Sequence, residues 1–338
     1  MKTLVTAITL GFLSTQASAD PFAGVRDIEI MAPHHGRSMQ AAVWYPAQQG
    51  GTPEVYAENA VFYGTEILRD AAPAKGHHPV VLLSHGLGGN IRSLQWLSAG
   101  LAARGAVVID VNHPNSTTGD MDVLAGMNHG TRAQDMSTAL DWLQASEFAP
   151  MLSDQVMAAG FSFGGWTALS LGGVRGNLDG YATSCDAAQG RSSHCLDLER
   201  AGVDLHALDA AQWNADFSDA RVTQVAAIDP GLHWGVTSKD VTGLNVPLLL
   251  IGLGEGPDRL YAADFSDTGS GFGALVPQAQ VELIVPANHF AILPECKPAG
   301  EDILKEEKDD PVCTDPEGSD RAAIHAQIID LLAGQLGL

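Results

Sequence analysis

The sequence predicts an α/β fold: one mostly parallel central sheet flanked by helices, with an inserted cap region. Three observations predict it. Residues 79–84 form an unbroken apolar run, the pattern of a strand buried on both faces. Similar runs recur at 106–111, 156–159, 222–228 and 246–251, alternating with helix-like segments, the rhythm of a parallel sheet. The run at 156–159 also passes straight into Gly160-Phe161-Ser162-Phe163-Gly164-Gly165, a sharp turn followed by a helix-like stretch at 166–171.

Taken in order, residues 1–19 have the form of a secretory signal. Lys2 supplies the positive start, and the apolar run 4–13 is too short to span a bilayer. Ala17-Ser18-Ala19 has the form of a cleavage site, which makes Asp20 the first mature residue. An uncleaved N-terminal anchor is the rival reading. Residues 20–338 then read as a single domain. Stretches 25–31 and 41–45 alternate like antiparallel strands joined through His34-His35-Gly36. Residues 50–75, rich in Gly, Pro and Ala, read as a long, partly helical connection. A helix is expected over 93–104. Another is expected over 131–144, with Ala133, Met136, Leu140 and Leu143 on one face. Residues 173–220 break the rhythm and read as a cap inserted beside the site. A strand at 281–285 and a closing helix at 321–332 follow, with His325 expected on the surface of that helix. The charge run 301–310 reads as solvated.

The chain has 338 residues, with 18 Lys and Arg against 40 Asp and Glu, a formal net charge of −22. Such a surface repels nucleic acid and anionic lipid headgroups, which excludes both as partners and leaves no stable membrane insertion. The cysteines number 4, an even count that suits a secreted or periplasmic protein with two disulfides. Loop proximity favours Cys185–Cys195 and Cys296–Cys313. A zinc site on these thiols is the alternative, but the chain has no Cys-x-x-Cys.

Gly160-x-Ser162-x-Gly164 has the spacing of a nucleophile elbow. The plain alternative is a Gly-rich turn with Ser162 as a helix N-cap. A serine hydroxyl needs a base for its proton and an acid to orient that base. His289, after the strand 281–285, has the order and setting of the base. For the acid the residues leave two places open. Asp229 ends the strand 222–228, and Glu255 and Asp258 follow the next one. An oxyanion needs preorganised donors, and loss of one typically costs about 10²–10³ in rate. The N–H of Phe163 and one from the loop His85-Gly86-Leu87-Gly88-Gly89 are the expected pair. Phe161, Phe163 and Trp166 suggest an apolar acyl pocket, with ordinary core packing equally open.

Leu83 to Gly89, then residues 105–113, then Gly160 to Gly165 and Ile228-Asp229-Pro230 resemble the platelet-activating-factor acetylhydrolase group of α/β-hydrolases. With Asn288-His289-Phe290, Cys296, Pro311-Val312-Cys313 and Asp320-Arg321-Ala322-Ala323, the chain resembles still more the bacterial secreted proteins grouped as predicted dienelactone hydrolases. The resemblance spans most of 79–330. It implies the α/β-hydrolase fold, with Ser162 as nucleophile, His289 as base and the N–H groups of Leu87 and Phe163 as oxyanion donors. It also favours Asp229 as the acid, with Asp258 or Glu255 as the alternative. The chain departs from many relatives in carrying Phe161 where they carry His. It departs from true dienelactone hydrolases in using serine rather than cysteine.

The expected activity is cleavage of carboxylic esters, whether short-chain, lipid acyl or polyester, with no metal and no organic cofactor. An amidase or lactonase on the same residues is the rival. A binding protein on a hydrolase scaffold is the reading from another class.

Overall fold

The structure is a computed structural model that describes residues 22–48 and 50–338. The expected signal segment, 1–19, lies outside the described residues. Strands β1 (Phe22–Ala32) and β2 (Arg37–Ala47) form a hairpin closed at His34-His35-Gly36, in register from Phe22 opposite Ala47 to Ala32 opposite Arg37. β3 (Thr52–Tyr56) and β4 (Thr65–Arg69) pair with each other at the sheet edge. Residues 50–75 therefore carry two strands rather than the expected partly helical connection. These strands are short and half exposed, and Gly and Pro around them mask the alternation.

β5 (His78–Ser84), α1 (Gln95–Arg104) and β6 (Val107–Val111) follow, then the two-residue strands β7 (Ser116–Thr117) and β8 (Asp120–Met121). Next come α2 (Val123–Gly126), α3 (Gly130–Ala145), β9 (Leu152–Phe161) and α4 (Phe163–Leu171). Residues 173–220, the stretch that breaks the rhythm of the sequence, hold α5 (Leu178–Ala188), α6 (Ser193–Arg200) and α7 (Ala210–Trp213). β10 (Gln224–Ile228), β11 (Leu248–Leu253), α8 (Phe272–Leu275), β12 (Gln280–Ile284), α9 (Gly300–Glu307) and α10 (Arg321–Leu336) complete the chain.

The main sheet runs β12-β11-β10-β9-β5-β6-β2-β1-β4-β3. From β12 to β6 every neighbour is parallel; β2 then runs antiparallel to both β6 and β1. Alternation along the buried strands divides the core in two. Val80, Leu82, Val107, Ile109, Val156 and Ala158 face one layer, with α3 and α4 against it. Val81, Leu83, Val108, Met157 and Ala159 face the other, under α1 and α10. That is why these runs are apolar throughout: each strand has no solvent face. Leu178, Tyr181, Leu198 and Trp213 of the 173–220 segment join the α3–α4 layer. No described helix is long and apolar enough to cross a membrane.

The register aligns the carboxyl ends of β5, β9 and β10: Ser84 lies beside Gly160, and Phe161 beside Ile228. In an open parallel sheet this edge, outside the carboxyl ends, is where side chains from separate strands converge on a ligand.

Candidate active site

The turn after β9 is forced by contact. Ser162 has φ 56° and ψ −119°, a region costly for any residue with a Cβ. Its N–H donates to Ile228 O at 2.9 Å, and its carbonyl accepts from Trp166 N at 3.1 Å and Gly231 N at 3.0 Å. A Cβ on Gly160 would lie 2.2 Å from Gly164 O, and one on Gly164 would lie 1.9 Å from Ser84 O. The two glycines are what allow helix α4 to start this close to β5. The Ser162 side chain makes no capping bond to α4. Its hydroxyl is turned instead toward His289 Nε2, at 3.1 Å.

His289 opens a short 3₁₀ turn after β12. Asn288 shapes it by accepting the Phe290 N–H at 2.9 Å while its amide donates to Thr314 O at 2.8 Å. The far side of the turn is held by two helices. Trp96 of α1 donates to Ile292 O at 2.9 Å, and His325 of α10 donates to Ala291 O at 3.0 Å. The two rings stack at 3.7 Å. The expectation of a surface His325 is thus corrected: the helix turns it inward, and burial lowers its pKa to about 4. The disulfide Cys296–Cys313 closes the same region, and Cys185–Cys195 joins α5 to α6.

His289 Nδ1 donates to Asp229 Oδ2 at 2.6 Å. Asp229 is fully buried, follows β10 directly and has φ 44°. Its other oxygen accepts the Leu253 N–H at 3.0 Å, and the Arg259 guanidinium lies 3.6 Å away. Glu255 and Asp258 are exposed on the turn after β11. From that loop it is Arg259, and neither carboxylate, that pairs with Asp229. Fixed by Asp229, the His289 ring presents its unprotonated Nε2 to the hydroxyl. An imidazole in that tautomer can take a proton from one side and lean on the carboxylate at the other.

Leu87 sits in the loop after β5, and Phe163 is the first residue of α4. Among the described residues neither backbone N–H has a hydrogen-bond partner. Phe161 packs on the His289 ring at 4.5 Å, and the Phe163 ring carries the Arg132 guanidinium at 4.7 Å. Trp166 points away from this edge. It is fully buried, donates to His129 Nδ1 at 3.2 Å, and His129 in turn donates to Trp213 O at 2.9 Å. It therefore ties α7 to α4 rather than lining a pocket.

Beneath the β5 loop lies a buried polar network that sequence reasoning missed. Arg132 donates to the His85 carbonyl, to Ser84 Oγ at 3.2 Å, to Ser116 Oγ at 2.6 Å and to Thr167 Oγ1 at 3.2 Å. Burial lowers its pKa to about 9. The Ser84 hydroxyl donates to His113 Nε2 at 2.8 Å, and His113 Nδ1 donates to Asp135 Oδ2 at 2.8 Å. Burial would raise the Asp135 pKa, but hydrogen bonds from His113, His34 and His35 outweigh it and hold the carboxyl well below its ordinary range. His34, His35 and Asp135 are also a group whose ligand atoms all lie within 4.8 Å of one another. The one sequence signal was Arg132 and Asp135, two charges three positions apart inside a buried helix.

A family model described as X-Pro dipeptidyl-peptidase (S15 family) matches residues 35–173, from the β1–β2 turn through α4. A comparison with curated proteins finds no match. Among solved structures the chain is similar to a ferulic acid esterase from Streptomyces cinnamoneus, at 18% identity and a TM-score of 0.58 over 95% of this chain and 90% of that one. It is also similar to a dienelactone hydrolase-like promiscuous phosphotriesterase from metagenomic libraries. There the identity is 15% and the TM-score 0.52, over 93% of this chain and 99% of that one. At such identities the likeness concerns the fold, and the fold is that of the α/β-hydrolases.

Proposed function

We propose that the protein is a serine hydrolase of carboxylic esters. One observation carries the reading: an unbroken hydrogen-bonded line from Ser162 Oγ through His289 to Asp229, at 3.1 Å and 2.6 Å. Ser162 Oγ attacks the ester carbonyl carbon as its proton passes to His289 Nε2. Asp229 holds the resulting imidazolium. The carbonyl oxygen, now an anion, lies against the N–H groups of Leu87 and Phe163. Collapse breaks the bond to the alkoxide, which leaves with the proton from Nε2, and the acyl group stays on Ser162. Water then attacks the acyl carbon, giving its proton to the same nitrogen; the bond from the acyl carbon to Ser162 Oγ breaks as Oγ takes that proton back, and the acid departs. Short-chain, lipid acyl and polyester esters all fit this chemistry. Paired disulfides suit an oxidising compartment, in line with export.

The match to an X-Pro dipeptidyl-peptidase model over 35–173 favours a second reading, hydrolysis of amides on the same residues. A fluorophosphonate probe and a panel of p-nitrophenyl esters, lactones and X-Pro p-nitroanilides test both. Wild type is labelled and cleaves esters, whereas Ser162→Ala does neither. An unlabelled wild type ends the serine-hydrolase reading, and faster turnover of X-Pro anilides than of any ester replaces it with the peptidase.

A further inference from the structure

The β1–β2 turn meets helix α3 at a second cluster. His34 Nε2 lies 2.7 Å from Asp135 Oδ1, and His35 Nε2 lies 3.0 Å from the same oxygen. Two imidazoles from adjacent residues thus converge on a single carboxylate oxygen. Asp135 is completely buried, the His35 side chain nearly so, and the His34 side chain is 20% exposed. The other carboxylate oxygen is taken by His113, which fixes the plane of the group.

Two features set this apart from an ordinary hydrogen-bonded aspartate. Asp135 has no Lys or Arg in its ion pairs among the described residues; its partners are three imidazoles. The buried Arg132 guanidinium, one turn away on α3, acts on Asp135 through space but does not contact it, so both carboxylate oxygens are left to imidazoles. Further, neither His34 Nδ1 nor His35 Nδ1 has a hydrogen-bond partner among the described residues. Without an ion each Nε2–H donates to Asp135; with an ion in place each ring can carry its proton on the unpartnered Nδ1 and turn the Nε2 lone pair to the metal.

We propose that His34 Nε2, His35 Nε2 and Asp135 Oδ1 bind one divalent transition-metal ion of the Zn²⁺ type. Two imidazoles and one carboxylate are a donor set that suits Zn²⁺ over Mg²⁺ or Ca²⁺. Zinc bonds of about 2.0–2.2 Å in a tetrahedron separate ligand atoms by roughly 3.4 Å. Opening the two Asp135 contacts by roughly 0.4–0.7 Å, with the two Nε2 atoms, now within 4.8 Å of each other, brought to the same spacing, accommodates the ion. The fourth position faces the cleft beside His34, lined by Pro33, Gln134 and Thr138, and takes water. His113 supplies the outer hydrogen bond that orients the ligating carboxylate. The bound ion clamps the first hairpin to α3, the helix that also carries Arg132 beneath the β5 loop.

Untagged protein freed of metal by chelator and titrated with Zn²⁺ against a chromophoric competitor tests this. Wild type takes up one equivalent, its melting temperature rises on Zn²⁺ addition, and Co²⁺ in its place gives the visible absorption of tetrahedral ligation. The double variant His34→Gln/His35→Gln, confined to a surface turn, stays folded and binds about tenfold more weakly or worse, with no thermal shift. Asp135→Asn gives the same loss if it folds. Failure of folded wild type to bind an equivalent overturns the site, and so does binding that persists undiminished in the double variant. Ser162→Ala binds Zn²⁺ like wild type, so the outcome is independent of the hydrolase reading.

Discussion

Asp229 and the carboxylates after β11 differ in what surrounds them, and that difference sets what each variant does. Asp229 is buried and accepts hydrogen bonds from the Leu253 N–H and from His289 Nδ1, whereas Glu255 and Asp258 stand in solvent. Asp229→Asn removes the acceptor that fixes the His289 tautomer. We expect kcat on p-nitrophenyl esters to fall by about 10³–10⁴. Asp258→Asn and Glu255→Gln change it less than about twofold. A near-normal rate in Asp229→Asn reverses the assignment. Ser162 and His289, the proposed nucleophile and base, stand out in the chain because each sits beside a strand that is itself conspicuous. The acid could not be chosen from residues alone, since β10 and β11 both end in a carboxylate-bearing turn. What separates the two is burial and the reach of Arg259, which are properties of packing.

Helix α4 owes its place to the absence of side chains at Gly160 and Gly164. Gly164→Ala pushes a methyl to 1.9 Å from Ser84 O, a contact with backbone that cannot yield. We expect a cost of roughly 3 kcal/mol and loss of probe labelling. Gly334 is the contrast: it lies on the exposed face of α10, and nothing is within 4 Å of a Cβ there. Gly334→Ala gains about 0.5–1 kcal/mol, with labelling unchanged. Urea unfolding of the two variants measures both. Elements buried on two faces, such as β5 and β6, were legible because their runs are uninterrupted. β3 and β4 were not, being short, edge-bound and interleaved with Gly and Pro. α5 and α6 hid for a related reason: their polar faces break the apolar period that a buried helix shows.

Over the whole molecule the interior is rich in neutral histidine. Burial lowers the pKa of His113, His129, His194, His233 and His325 to about 4 each, below the ordinary histidine value of 6.5. The folded protein thus binds fewer protons than the unfolded chain between those values. Their contribution is complete above pH 6.5 and is lost as pH falls toward 4, with up to about 1.4 kcal/mol per pH unit for each group. Asp110 acts in the opposite sense. Burial raises its pKa well above the ordinary carboxyl range, so its share of stability declines as pH rises through that window. The histidines outnumber it, and the urea midpoint should drop steeply from about pH 7 to 5. His325→Gln should flatten the slope by about one proton. A midpoint equal at both pH values sinks this account. None of it was legible in the chain, where a histidine in a helix gives no sign of which way it faces. The inward turn of His325 has a further consequence, one of timing. The turn that carries His289 hangs from α1 on one side and α10 on the other. A ribosome makes Ser162 long before it makes α10. On the proposed reading the serine therefore waits for a positioned base until the closing helix has been made and has docked.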